Sequence, residues 1–218
     1  MEDMDLKYIV WDWNGTLLDD VPVCLAVENG LLERRGLPPL TAERYREIFT
    51  FPVRDYYQAA GLDLEREDFQ AVAQEFVEEY NRRARSCGLC PGAQEALERL
   101  RETGWRQIIV SASEQGALAE QTENCGISGF FEAILGVGDV LASGKAGLAR
   151  GYFRKQGVDG AQAVFVGDTI HDWEVAQEMG CRCVLVAGGH QSRARLESTG
   201  ERVLESLREL PQYFEKSL

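Results

Sequence analysis

Three side chains able to take part in chemistry stand just beyond short apolar runs of this sequence: Asp12, Ser111 and Asp168. In open α/β sheets, ligands bind beyond the carboxyl ends of the strands, so such positions are the first candidates for a site. A carboxylate at a strand-to-loop junction can attack phosphorus while the backbone amides of Gly15 and Thr16 hold the anion. Asp12 is therefore the candidate nucleophile, although an aspartate that only caps a turn would have the same neighbours.

The remaining candidates could hold a phosphate group and a cation. Ser111 and the amide of Ala112, at the approach to a helix, can hydrogen-bond a phosphoryl oxygen. The sequence has only four lysines, and Lys145 is the one at a predicted helix start, where it could neutralise both the nucleophile and the phosphoryl group. Asp168 and Asp172 lie on a loop and one helical turn later, and oxygen ligands of this kind suit Mg²⁺. Each residue alone would mean little, but together they predict a phosphate and Mg²⁺ site.

Short apolar runs separated by helical stretches predict the sheet that would position these side chains. The runs cover residues 6–11, 107–110, 133–135, 163–166 and 181–186. Strands that alternate with helices form parallel sheets covered by helices on both faces. We therefore expect an α/β protein with a doubly wound, parallel, Rossmann-like sheet.

More than 90 residues separate the first two predicted strands, which is too many for an ordinary crossover. Apolar residues at three- and four-residue spacing predict helices over most of this stretch. The predicted helices are residues 21–35, one N-capped by Thr41, residues 53–60 ended by Gly61, and residues 65–85. We expect an inserted helical cap domain over residues 18–86 and a core domain formed by residues 1–17 and 87–218.

Composition narrows the range of partners. The 218 residues include 36 acidic and 23 basic ones, and the net charge of −13 repels polyanions, which argues against nucleic-acid binding. The sequence has no run of about 18 apolar residues that would predict a membrane span, and its acidic start does not resemble a secretory signal. We expect a cytoplasmic protein without a membrane partner, either a monomer or a homodimer. We assign no role to Cys87 and Cys90, although their spacing is suggestive.

In order, spacing and context, the candidate residues resemble the four motifs of the haloacid dehalogenase-like (HAD) hydrolase superfamily. The motifs are Asp12-Trp-Asn-Gly-Thr, Ser111, Lys145 and Gly167-Asp-Thr-Ile-His-Asp172. The resemblance extends over essentially the whole chain, and the inserted segment lies where the phosphoglycolate phosphatase-like branch has its helical cap. It implies a HAD α/β core with a cap that closes over the site.

The resemblance also implies an activity and a metal site. The activity is Mg²⁺-dependent hydrolysis of a small phosphorylated metabolite through an aspartyl-phosphate on Asp12. Asp12 and Asp168 would bind Mg²⁺ through their side chains and Asn14 through its backbone carbonyl, and Asp172 would support these ligands. In the cap, Arg54 follows a proline-marked turn and could grip an anionic substrate, although a surface ion pair explains it equally well.

Asn14 departs from the family pattern. HAD phosphatases carry an aspartate at this position, which protonates the leaving alkoxide and then activates the attacking water. An amide cannot titrate, so a contribution of about 10²- to 10⁴-fold in rate is missing from this position. Three outcomes stay open: a slow phosphatase, a substrate whose leaving group needs little protonation, or another acid supplied by His171 or the cap. His190, after the last predicted strand, is expected to be a loop residue.

Other chemistries of the superfamily fit the sequence less well. Phosphonate cleavage uses a cap lysine, and no lysine lies between Lys7 and Lys145. Dehalogenation needs no metal, so the paired Asp168 and Asp172 argue against it. The alternative to a phosphatase is a weak or inactive HAD-fold protein that binds a phospho-ligand or has a regulatory role, because Asn14 replaces the usual aspartate. The retained carboxylate nucleophile favours catalysis, since anion binding alone would not need it.

Overall fold

The computed structural model of the chain describes residues 8–138 and 144–217. Within these residues, six strands form one parallel sheet in the order β3-β2-β1-β4-β5-β6. The strands are β1 (Tyr8–Trp11), β2 (Arg106–Glu114), β3 (Ala133–Val137), β4 (Ala163–Gly167), β5 (Arg182–Val186) and β6 (Arg202–Leu204). The order confirms the doubly wound, Rossmann-like α/β fold, with the strand order reversing beside β1.

All five predicted strands are present, with shifted ends. Residues 6 and 7 of the first predicted run lie outside the described residues. β2 continues to Glu114 instead of ending at Val110, because the polar residues after the apolar run stay extended. β6 was not predicted, since its three residues are too few to show a periodic pattern.

Among the described residues, ten α-helices accompany this sheet, and six of them pack against its two faces. In the described segments they are α1 (Val21–Arg34), α2 (Ala42–Ile48), α3 (Val53–Ala60), α4 (Phe69–Ala84), α5 (Ala93–Glu102), α6 (Gln115–Asn124), α7 (Lys145–Gln156), α8 (Ile170–Met179), α9 (Arg193–Glu197) and α10 (Leu210–Ser217). Residues of α5, α6 and α10 belong to one apolar cluster with the sheet, and residues of α7, α8 and α9 to another. None of these helices combines the length and apolarity that a membrane span requires.

Side chains of β1 alternate between the two clusters. Ile9 and Trp11 belong to one cluster, and Tyr8 and Val10 to the other. All four residues are buried, so β1 is fixed from both faces. The loop that follows Trp11 therefore starts from a tightly packed part of the fold.

Residues between Val21 and Tyr80 form a third apolar cluster of their own. The predicted helix signals act here as expected: Thr41 Oγ1 accepts a hydrogen bond from the Arg44 amide at 3.1 Å, and Gly61, with φ 106°, ends α3. α4 begins at Phe69, later than predicted, because Asp68 caps its first turn. This cluster supports the predicted cap over residues 18–86, whose boundaries stay a prediction.

Glu28 of α1 is a buried carboxyl inside the cap. Its side chain is 0% exposed, and neither carboxylate oxygen has a hydrogen-bond partner among the described residues. Burial raises the pKa of Glu28 to about 7, and Arg35 lowers it only in part. The folded protein therefore binds a proton that the unfolded chain has released at a pKa of about 4.3. Between these two pKa values, the free energy of unfolding falls as the pH rises.

We predict that Glu28→Gln makes the stability of the protein less dependent on pH. Glutamine stays neutral, so the variant escapes a loss of up to about 3 kcal/mol that the raised pKa of Glu28 causes between about pH 5 and about pH 8. Urea unfolding of both proteins at the two pH values measures this effect, and the variant should gain on the wild type at the higher one. An equal difference between variant and wild type at both pH values would contradict the prediction.

Candidate active site

The carboxyl ends of β1, β2 and β4 bring the candidate residues to one edge of the sheet. Asp12 follows β1, Ser111 lies near the end of β2, and Asp168 follows β4. β1 pairs with both of the other strands, so these ends are adjacent. Lys145, the first residue of α7, approaches Asp12 from the face of the sheet. The site is thus assembled from residues that are distant in the chain.

Three buried carboxylates and one lysine form the centre of the site. Asp12, Asp168 and Asp172 each offer one carboxylate oxygen, and these oxygens lie within 4.8 Å of one another. Lys145 Nζ lies 2.5 Å from Asp12 Oδ1 and 2.5 Å from Asp172 Oδ1. Hard oxygen donors at this spacing fit a divalent cation such as Mg²⁺.

The charges of this centre depend on one another. Burial raises the pKa of Asp12, and Asp172 raises it further, while Lys145 lowers it. Burial lowers the pKa of Lys145, but Asp12 and Asp172 raise it more, so the lysine stays cationic. Burial also raises the pKa of Asp168, and His190 offsets part of this effect. A further cation would allow all three carboxylates to ionise together.

Hydrogen bonds orient Asp168 and Asp172. Thr16 Oγ1 donates to Asp168 Oδ1 at 2.7 Å, and the His190 amide donates to Asp168 Oδ2 at 2.6 Å. At the start of α8, Thr169 Oγ1 donates to Asp172 Oδ2 at 2.8 Å, as part of a capping box. One oxygen of Asp172 therefore serves the helix while the other contacts the lysine.

Both the nitrogen and the oxygen of the Asn14 side-chain amide form hydrogen bonds. Nδ2 donates to Asp20 Oδ2 at 2.8 Å and to the Tyr80 hydroxyl at 2.7 Å. Oδ1 accepts from Ser113 Oγ at 2.7 Å, whereas Ser111 Oγ is 3.4 Å away. An ionised aspartate could not donate to Asp20, so the amide matches this buried carboxylate. Asp20, Tyr80 and Ser113 were missed at the sequence level, where only the strand-end motifs carry a signal.

His190 lies in the loop after β5, and its side chain is buried within the site. Its Nδ1 lies 2.8 Å from the Tyr45 hydroxyl, and its Nε2 lies 3.4 Å from Asp20 Oδ1. Burial lowers the pKa of His190, but Asp20 and then Asp168 raise it more, to about 9. The expectation of a loop residue is confirmed, but the contacts of His190 within the site were not predicted, because the glycines before it indicate a turn and not its buried acidic partners.

The amides of Gly15 and Thr16 are engaged inside the loop. The Gly15 amide donates to the Leu18 carbonyl at 3.0 Å and to Asp20 Oδ1 at 2.8 Å. The Thr16 amide lies 3.3 Å from the Trp13 carbonyl. The expectation that these two amides face an anion is therefore not met, since loop oxygens take both. Thr16 instead contributes its hydroxyl to the carboxylate cluster.

Ser111 and Ala112 lie within β2, not at a helix start. The pairing of β2 with β3 is irregular between Val110 and Glu114, and α6 begins only at Gln115. The expectation of a helix approach at Ala112 is thus corrected. Ser111 is buried beside Asn14, and Ala112 is exposed to the cavity described below. Both residues keep their place next to the site.

Two further candidates have other surroundings than expected. Arg54 is exposed, and its guanidinium lies 5.7 Å from the centre of the Phe69 ring. It does not line the cavity beside the carboxylates, so the structure does not support a grip on substrate. His171 Nδ1 lies 3.3 Å from Glu174 Oε2, and its ring lies 4.8 Å from that of Phe51. His171 lines the cavity, but these contacts are with neighbours on its own helix and in the cap.

A cavity of about 610 Å³ adjoins the carboxylate cluster. Asp12, Asn14 and Lys145 line it on the side of the sheet. The side chains that line it from the cap are mostly aromatic and include Phe49, Phe51, Tyr56, Phe69, Phe76 and Tyr80. We call Asp12, Asn14 and Lys145 the polar floor of the cavity, and the aromatic residues that line it from the cap its aromatic wall.

Comparison with known proteins gives a consistent match. The family model described as haloacid dehalogenase-like hydrolase matches residues 9–186. A phosphoglycolate phosphatase of Rhodobacter capsulatus is 27% identical over 187 residues, 84% of this chain and 85% of that protein. One from Caulobacter vibrioides is 26% identical over 217 residues, 97% and 92% of the two chains. A haloacid dehalogenase-like family protein from Streptococcus pneumoniae has the same fold, with a TM-score of 0.81, 21% identity and coverage of 96% and 98%.

We predict that Gly15→Ala destabilises the protein more than Gly36→Ala. Both glycines have positive φ, 74° and 67°, but a Cβ on Gly15 would lie 2.5 Å from His190 Cδ2 and 2.6 Å from Asp168 Oδ2, whereas a Cβ on Gly36 would meet no atom within 4 Å. The Gly36 variant should lose about 1 kcal/mol from backbone strain alone, and the Gly15 variant about 2–4 kcal/mol. Urea unfolding measures both losses, and equal values would show that the close approach at Gly15 costs nothing.

Proposed function

This chain is a haloacid dehalogenase-like hydrolase, and we propose that it is a Mg²⁺-dependent phosphatase of a small phosphorylated metabolite, acting through an aspartyl-phosphate on Asp12. The observation that carries the proposal is the buried contact of Lys145 with Asp12, 2.5 Å long, inside a cluster of three carboxylates. A carboxylate held beside a cation and facing a cavity suits attack on phosphorus. The relatives named phosphoglycolate phosphatase support the same substrate class.

Each residue of the centre has a part in this proposal. Asp12, Asp168 and the backbone carbonyl of Asn14 would hold Mg²⁺, and Asp172 would orient Lys145. When bound, Mg²⁺ would neutralise charge on the phosphoryl oxygens. Lys145 would hold the phosphoryl group by charge-assisted hydrogen bonds.

Ser111 and the amide of Ala112 would complete the phosphate seat. Both lie within β2, where Ser111 Oγ is 3.4 Å from Asn14 Oδ1 and Ala112 lines the cavity. Neutral hydrogen-bond donors here would orient the phosphoryl group without adding charge to the site. Gly15 would act through its small size, and Thr16 through its bond to Asp168.

The reaction would proceed in two displacements. Asp12 Oδ attacks phosphorus, the bond from phosphorus to the ester oxygen breaks, and its electron pair leaves with that oxygen. Water then attacks phosphorus and the bond to Asp12 Oδ breaks, which restores the carboxylate and yields dihydrogen phosphate. The leaving oxygen takes its proton from solvent, because Asn14 has none to give.

The alternative function is a phospho-ligand-binding or regulatory protein without turnover. One observation favours it: the Asn14 amide is bound by Asp20, Tyr80 and Ser113 and cannot carry a proton. Such a protein would bind phosphate in the same cavity but would never form a covalent bond to Asp12. Trapping of a phosphoenzyme therefore distinguishes the two functions.

We predict that Asp12→Asn lowers phosphatase turnover by more than about 10³-fold and abolishes the phosphoenzyme, because an amide oxygen is a poor nucleophile. Phosphate release from p-nitrophenyl phosphate with Mg²⁺ measures the first effect, and mass spectrometry of acid-quenched protein measures the second. Asp55→Asn, an exposed change of the same chemistry in α3, is the matched control. Full turnover by the Asp12 variant would refute the mechanism, and a wild type without turnover or phosphoenzyme would favour the binding protein.

A further inference from the structure

The aromatic wall of the active-site cavity and the amide at its floor point to one class of leaving group. We infer that the substrate is an aryl phosphate, a phosphate monoester whose ester oxygen is attached to an aromatic ring. This inference rests on the proposed phosphatase function and specifies its substrate. It is carried by four features: the rings of the wall, the charges around the cavity, its volume and Asn14.

The wall is a continuous set of contacting rings. Tyr57 lies with its ring centre 6.0 Å from that of Phe69 and 6.4 Å from that of Phe76. Phe76 in turn stacks on Tyr80, with ring centres 5.9 Å apart and planes inclined by 10°. All four residues line the cavity. A further ring packs well against such a surface, because aromatic pairs attract one another beyond the apolar area that they bury.

The described residues that line the cavity offer no free lysine or arginine for a second anionic group. Among its lining residues in the described segments, Lys145 is the only lysine or arginine, and Asp12 and Asp172 already contact it. The imidazole of His190 is engaged by Tyr45 and Asp20. Among these described residues, the carboxylate of phosphoglycolate would therefore have no free lysine or arginine to pair with, and burying a carboxylate without such a partner is unfavourable.

The volume of the cavity also exceeds what a two-carbon group requires. At about 610 Å³, it lies in the middle of the range of about 300–1,000 Å³ that is typical of sites for drug-sized ligands. A glycolate group would leave the half-buried rings of Phe69 and Phe76 uncovered. An aromatic group would cover them.

Asn14 favours the same leaving group for a separate reason, which is its inability to donate a proton. It cannot protonate the departing oxygen, so that oxygen must leave as an anion. A phenol has a pKa of about 10, as in tyrosine, whereas the pKa of an aliphatic alcohol is far higher and close to that of water. When the bond from phosphorus to oxygen breaks, a phenolate carries the electron pair far more readily than an alkoxide. It then takes a proton from solvent.

Three phosphate esters separate the contributions of ring and leaving group. Phenyl phosphate offers both, benzyl phosphate offers the ring with an alkoxide leaving group, and phosphoglycolate offers neither. For the wild type with Mg²⁺ we expect kcat/KM for phenyl phosphate to exceed that for benzyl phosphate by about 10²-fold or more, matching the missing acid, because kcat/KM reports the displacement that releases the leaving group. We expect phosphoglycolate to have the highest KM and the lowest kcat/KM.

The outcomes distinguish this inference from the proposed function. Turnover of phosphoglycolate at or above that of phenyl phosphate would overturn the aryl assignment and leave the phosphatase intact. Equal kcat/KM for phenyl and benzyl phosphate would overturn the role given to Asn14. No turnover of any ester, p-nitrophenyl phosphate included, would refute the phosphatase itself.

A cap substitution tests the wall directly. Val77 of α4 lines the cavity and is 51% exposed, so Val77→Arg is compatible with folding and places a cation beside the rings. We expect the ratio of kcat/KM for phosphoglycolate to that for phenyl phosphate to rise about 10-fold, the size of a charge-assisted contact. Ala71→Arg, an exposed change of equal charge on the same helix and away from the cavity, should leave the ratio unchanged. An unchanged ratio in the Val77 variant would place the leaving group elsewhere.

Discussion

The rest of the site depends on the burial of Lys145 among carboxylates. Asp12, Asp168 and Asp172 together carry three negative charges when ionised, and Lys145 carries one positive charge. All four side chains are buried, so water screens this imbalance poorly. A divalent cation would bring the sum to zero. The proposed Mg²⁺ would therefore neutralise this cluster as well as take part in the proposed chemistry.

The need to stabilise these buried carboxylates also explains why the loop after β5 is packed so closely. The His190 amide donates to Asp168 and its imidazole lies beside Asp20, so one residue supports a carboxylate on each side. Its neighbours join this loop to the cap: Arg46 Nε donates to the Gly189 carbonyl at 2.9 Å, and Gln191 Nε2 donates to the Phe49 carbonyl at 2.9 Å. The aromatic wall is thereby held over the carboxylate floor. The polar and apolar halves of the cavity are parts of one arrangement.

Asn14 and Asp20 have to be understood together. The buried Asp20 carboxylate accepts hydrogen bonds from Asn14 Nδ2, the Tyr80 hydroxyl and the Gly15 amide. Burial raises the pKa of Asp20, but His190 and these donors lower it more, so the carboxylate stays ionised. A second carboxylate at position 14 would face it at hydrogen-bond distance without a donor between them. The hydrogen-bond partners of Asn14 thus fit its departure from the family pattern. Because Asn14 cannot donate a proton, the leaving group would depart as an anion.

How much could be predicted from the sequence depends on the range of the interaction. Apolar runs and cap residues such as Thr41 and Gly61 act locally, so the sheet and most helices of the cap were predictable. Asp12, Lys145 and Asp168 were found because strand ends converge at one edge of a parallel sheet. Tyr80 and His190 were not, since they reach Asn14 and Tyr45 across 66 and 145 residues of chain.

Two further errors arose from reading neighbours along the chain as neighbours in space. Arg54 follows a proline turn, yet it is exposed and lies over the Phe69 ring without lining the cavity. The amides of Gly15 and Thr16 were expected to face an anion, but Asp20 and loop carbonyls take them. Nothing in local spacing indicates either outcome.

A crystal structure of the protein with Mg²⁺ and beryllium trifluoride, a mimic of the phosphoryl group, tests the central claim most directly. The account predicts beryllium bonded to Asp12 Oδ, Mg²⁺ about 2.1 Å from oxygens of Asp12 and Asp168, and Lys145 Nζ in contact with fluorine. Beryllium trifluoride bound away from Asp12, or carboxylates of Asp12 and Asp168 more than roughly 8 Å apart and unable to share one ion, would contradict it.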